Sequence, residues 1–179
     1  MKGTIIRMGA AVAVMVALGA CGQLARLSPP QSMDDMTLPL HDSAGSSGKV
    51  LYQDVVAAHT AGRPELPVGY RVSGDVTYHR AGGTLEKVNV YARTSLENLP
   101  GSCMREQPGM VTCDVGSEAG QRVGSMTLRP DVGVPFSLSG SAITAAVKEG
   151  TVYYGIEVMQ GQARSGESLK ITNTLLHTK

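Results

Sequence analysis

Three cysteines, four histidines, one adjacent pair of aspartates and six tyrosines are the residues of this 179-residue chain from which chemistry would have to be built. Cys103 and Cys113 flank Pro108-Gly109, a turn signal, so a hairpin closed by a disulfide is their simplest reading. Their spacing is neither the C-x-x-C of a redox centre nor half of a zinc site. His41, His59, His79 and His177 are scattered, with none of the i, i+4 or H-x-H spacing that sets two imidazoles on one metal, so no metal or cofactor is expected. Asp34-Asp35 sits in a stretch with no regular period, where a carboxylate pair lacks a scaffold to separate its pKa values. No G-x-S-x-G elbow occurs, and Gly48-Lys49 is followed by Val50 where a phosphate loop needs Ser or Thr. An enzyme is not expected.

The elements that would position these residues read as strands. Tyr70, Val72, Val76 and Tyr78 alternate with Arg71, Ser73, Asp75, Thr77 and His79. Val88, Val90 and Ala92 alternate with Lys87, Asn89 and Tyr91, while Val152, Tyr154, Ile156 and Val158 alternate with Tyr153, Gly155 and Glu157. Val111, Cys113 and Val115, then Phe136 and Leu138, form shorter runs, and Leu169, Ile171 and Leu175 close the chain. A period of two marks strands with one face buried and one wet, as in antiparallel sheets. Ala81-Gly82-Gly83, Leu99-Pro100-Gly101 and Gly161-Gln162 supply turns between them. Ile143, Ala146 and Val147 instead keep helical spacing before Gly150, which predicts a short helix near 141–149. About eight short strands at regular spacing predict an all-β antiparallel β-sandwich, immunoglobulin-like or jelly-roll-like, over residues 50–179.

Ahead of it lies a different kind of sequence. Lys2 and Arg7 precede an uncharged apolar run, Met8–Leu18, too short for an ordinary membrane span and suited to an export signal over residues 1–20. Its end, Leu18-Gly19-Ala20-Cys21, resembles the lipobox of bacterial lipoproteins. That resemblance implies lipidation of the Cys21 thiol, cleavage before it, and anchoring by two or three acyl chains, which hold where one does not. Gly22 stands where an inner-membrane retention signal carries Asp, so the resemblance favours the outer membrane in a two-membrane cell envelope. Residues 21–49, with Ser28-Pro29-Pro30 and a Ser/Gly run at 43–48, read as the lipidated cysteine and a flexible tether.

The composition excludes nucleic acid. The formal charge is +1, and without the leader the chain holds 14 basic against 15 acidic residues, so no basic footprint exists for phosphate. The tyrosines are the remaining handle. Tyr70, Tyr78 and Tyr154 share faces with valines and are expected in the core. By strand parity Tyr91 and Tyr153 project from the opposite faces, where a pair of rings would form a candidate ligand-binding platform for sugar. The closing pattern, Val152–Val158 followed by Ser168–Leu175, resembles the last strands of jelly-roll carbohydrate-binding modules. The leading expectation is a non-catalytic lipid-anchored protein that presents its sandwich to an envelope protein partner. A glycan-binding module is the alternative, and an enzyme or metal protein with a site assembled only in three dimensions is the second.

Overall fold

The computed structural model describes residues 29–43, 47–53, 69–107 and 109–179. The signal segment, Cys21 and His59 lie outside the described residues. Among those described, eleven strands form two antiparallel sheets packed face to face, so the all-β sandwich expected from the alternation is what the chain builds.

The first sheet is ordered β1 (Gln31–Ser32), β11 (Ser168–Thr178), β4 (Tyr70–His79), β9 (Gly133–Ser139), and β2 (Met36–Pro39) continues the β1 edge along β11. The second is ordered β6 (Met104–Gln107), β7 (Met110–Asp114), β3 (Lys49–Gln53), β10 (Tyr153–Gln160), β5 (Lys87–Arg93), β8 (Arg122–Thr127). Tyr70, Val72, Val76 and Tyr78 from one sheet and Val88, Val90, Ala92 and Tyr154 from the other meet in the main core, each 7 % exposed or less. That is the alternation read from sequence, with every expected core tyrosine in place.

Helix α1 (Ser141–Glu149) buries Ala142, Ile143, Ala146 and Val147 against one end of the sandwich and stops at Gly150, whose φ of +78° favours glycine. It fulfils the helical spacing seen at Ile143, Ala146 and Val147. A 3-10 segment, Val115–Gln121, follows β7.

Two expectations need correction. Part of the stretch read as tether belongs to the fold: β2 pairs Met36–Pro39 with Ile171–Ser168, and Leu38 and Leu40 are buried in the main core. The prolines and acids around these leucines mask a segment whose backbone finds its partner far away, at the other end of the chain. Leu175 was expected inward, yet it is 37 % exposed while Leu176 is 1 % exposed. A bulge between Thr172 and Leu175, with Asn173 at a φ of +53°, inserts an extra residue and exchanges the two faces.

Candidate functional site

Three environments gather the polar and reactive groups of the chain. The first is the outer face of the second sheet, the face opposite the main core. Tyr91 does project to this face, as parity requires, but the face is not wet. Val50, Tyr52, Tyr91, Leu96, Val111 and Cys113 form a second buried cluster there, with Leu99, Cys103, Val115 and Tyr153 packed against it. Tyr91 is 2 % exposed, its hydroxyl donating to Glu157 at 2.7 Å. Tyr153 is half-buried beside it, two residues away on the facing strand. The expected sugar platform of Tyr91 and Tyr153 is therefore withdrawn. Alternation shows to which side a residue points but not whether the following loop folds back over that side, and here 94–103 and the 3-10 segment do.

Buried carboxylates organise this covered face. Glu118, on the 3-10 segment, is fully buried and takes a bidentate pair from Arg93, Nε at 2.8 Å and Nη2 at 2.6 Å. The Tyr52 hydroxyl donates to the same carboxylate at 2.6 Å. Burial, then the adjoining Glu118, pushes the Tyr52 hydroxyl far above its ordinary range, so it stays a donor. Glu157 likewise receives Tyr91 and, at 2.8 Å, the amide of Asn89, whose oxygen accepts from Arg122 at 2.9 Å. Burial and the Glu157 bond push Tyr91 up to about 12. A third pair lies in the first sheet, where Tyr78 donates to Glu167 at 2.6 Å. Glu167 also accepts the backbone N–H groups of Ala81, Gly83 and Arg164. With these carboxylates so engaged, they hold neighbouring strands and loops together.

The register that sets Met104 opposite Thr112 also sets Cys103 opposite Cys113, and the two sulfurs stand at a disulfide distance of 2.07 Å. Cys103, Cys113 and Glu118 converge within 4.8 Å. Joined sulfurs and a carboxylate already held by Arg93 and Tyr52 offer that cluster no free ligand atom.

The second environment is the outer face of the first sheet. Ser73 Oγ lies 2.8 Å from His177 Nε2, the contact of a nucleophile and its base. Among the described residues neither Ser73 nor His177 lines one of the main cavities. His79 meets Asp131 at 3.3 Å, both exposed.

The third environment is a groove. The first sheet is four strand positions wide and the second is six, with β8 and β9 adjacent at the closed side. At the other side β3, β7 and β6 reach the β2 edge and beyond, and the described residues leave their inner face partly open. Leu38, Leu40, Leu51, Met104, Met110, Ile156, Val158 and Ala163 give this groove an apolar floor, and it encloses about 260 Å³. Met104 is 58 % exposed. His41, Asp42, Lys49, Gln53, Glu106 and Thr112 are its polar members. Sequence reading did not find this groove. Its only trace was the β6 run Met104–Gln107, where an exposed methionine precedes Arg105 and Glu106.

Among the described residues no helix is long and apolar enough to cross a membrane. Compared with known families, curated proteins and solved structures, the chain matches none.

Proposed function

We propose that this chain is a lipid-anchored protein of a bacterial cell envelope, held to the membrane through Cys21, whose sandwich serves protein–protein interaction rather than catalysis. The observation that carries this reading is the inner face of β3, β7 and β6, which the described residues leave partly open. A sandwich ordinarily buries both inner faces against each other. Among the described residues β3, β7 and β6 are only partly covered, with a methionine mostly in solvent and an apolar floor behind it. Apolar surface left open in this way marks a place where another molecule is bound.

The lipobox-like Leu18-Gly19-Ala20-Cys21 supports the address, and Gly22 favours the outer membrane. A tethered module with an apolar groove suits an envelope assembly, in which a weak contact is strengthened by confinement to one membrane surface.

Two measurements test the reading. A palmitate analogue is expected to label the wild-type chain and not Cys21→Ser; equal labelling of both would remove the anchor. In gently solubilised envelopes the wild-type chain is expected in a discrete assembly on native gels. Migration as a monomer alone would remove the interaction.

A further inference from the structure

The groove holds one feature that apolar packing does not explain. Gln53 is 7 % exposed, and its Nε2 donates to the Pro39 carbonyl, which fixes the orientation of the amide. Its Oε1 is buried and accepts no hydrogen bond. A buried carbonyl oxygen left without a donor is uncommon, because it gives up water and receives nothing in exchange. In this case the residue lines a groove open to solvent on one side.

The charges around the groove are also unbalanced. The Lys49 ammonium is tied to Asp114, which neutralises the one lysine of the lining. Asp42 and Glu106 remain, both exposed, and Asp42 additionally accepts the Ser165 N–H at 3.1 Å. Finally, both walls end in strand edges. β2 pairs only with β11, and β6 only with β7, so each presents backbone groups that no other described strand takes up.

Resting on the interaction reading above, we propose that the groove between β2 and the β3–β7–β6 overhang receives an extended polypeptide segment of the partner. The segment inserts one or two aliphatic side chains over Leu51, Met104 and Met110, donates one N–H to Gln53 Oε1, and carries a basic residue toward Asp42 and Glu106. The size favours this occupant. A volume of about 260 Å³ lies below the roughly 300–1,000 Å³ of small-molecule and cofactor pockets and above the roughly 150 Å³ that takes one benzene-sized group. An extended chain laid beside a strand edge draws affinity from its backbone and specificity from alternate side chains. The Gln53 acceptor fits that mode, whereas an acyl chain would leave it without a donor.

The test uses the full lipidated chain in nanodiscs and fluorescein-labelled heptapeptides with leucine at the third and fifth positions, flanked by lysine or by glutamate. The lysine-flanked peptide is expected to bind, with the glutamate-flanked one about tenfold weaker at low salt. Gln53→Leu, which removes the acceptor together with the Nε2 bond to Pro39, is expected to weaken binding by about tenfold. Met104→Glu, at an exposed position that tolerates change, is expected to abolish it. Methylating the peptide nitrogen that faces Gln53 should weaken binding to wild type and change nothing in Gln53→Leu. Failure of both peptides to bind, equal binding to wild type and both variants, preferential uptake of a fluorescent fatty acid, or self-association of the chain that Met104→Glu reverses would each overturn the proposal. The native-gel assembly separates the two levels. If it persists in both groove variants, the groove inference falls while the interaction reading stands; if the wild-type chain forms no assembly, the interaction reading falls first.

Discussion

Replacing Glu167 by glutamine should destabilise this protein more than the near-identity of the two side chains suggests. Glu167 is 1 % exposed, and its two oxygens take four donors. Oε1 accepts the N–H of Ala81 at 2.8 Å and of Gly83 at 2.6 Å; Oε2 accepts the Tyr78 hydroxyl at 2.6 Å and the N–H of Arg164 at 2.8 Å. Space around it is tight, since a Cβ on Gly83 would lie 2.3 Å from Oε2. In Glu167→Gln one oxygen still accepts two bonds, but the amide nitrogen must face two donors. The Tyr78 hydroxyl can turn to accept, which leaves the Arg164 N–H without a partner at about 1–3 kcal/mol. Loss of charge from the remaining bonds adds roughly 1 kcal/mol each, for a total of about 3–5 kcal/mol. For a domain of this size that lowers Tm by on the order of 10 °C.

The pH dependence gives a second, sharper readout. Burial pushes the Glu167 carboxyl up, but the Tyr78 hydroxyl and the three backbone donors outweigh it and hold the carboxyl below its ordinary range. A folded value below the unfolded one, about 4.3, means the contribution is whole above that pH and is lost as pH falls through the folded value. Urea unfolding of wild type and Glu167→Gln should therefore show the largest difference near neutral pH, shrinking steadily below about pH 5. A difference under about 1 kcal/mol at neutral pH, or one that does not change with acidification, would refute the four-donor account.

Two further outcomes follow from packing and covalent structure. Gly155→Ala would set a Cβ 2.5 Å from Cε1 of Tyr52 and 2.7 Å from Cγ1 of Val50. It should cost about 1–3 kcal/mol by overpacking, and an unchanged urea midpoint would contradict the placement of the Tyr52 ring. With Cys103 and Cys113 joined and Cys21 capped by the lipid proposed for it, alkylation should add two groups only after reduction. The double variant Cys103→Ser, Cys113→Ser should lose about 2–3 kcal/mol; free thiols in the unreduced protein would remove the bridge.

The main core was legible because it is local information: Tyr70, Val72, Val76 and Tyr78 announce a strand and its inward side by their own spacing. The hairpin between Cys103 and Cys113 and the helix before Gly150 were legible for the same reason. What escaped were relations between distant segments. Nothing near Leu38 shows that β11 will pair with it, and nothing near Tyr91 shows that 94–103 and Glu118 will cover its face. Glu118 and Glu167 escaped, and Glu157 was placed on a wet face, because a buried carboxylate is recognised only by its donors, Arg93, Tyr91 and Tyr78 among them, which lie tens of residues away. The groove escaped because it comes from the unequal widths of the two sheets, which no single strand encodes.

The pairing of β1 and β2 with β11 also fixes when the protein can fold. Gln31 lies against Leu176 and Pro39 against Ser168, so the first strands described are completed by the last. β4 needs the same strand, from Tyr70 against Thr178 to His79 against Ser168. A chain delivered from its N-terminus can form the β6–β7 hairpin and the β5–β8 and β4–β9 pairings early, but its first sheet stays incomplete until residues 168–178 arrive. Until then β4 has β9 as a partner but β2, with Leu38, has no strand to join, and closing so long a loop makes the final step slow. Loss of even the last dozen residues would leave β1, β2 and β4 without their shared partner, so a truncated product should be degraded rather than retained as a partly working domain.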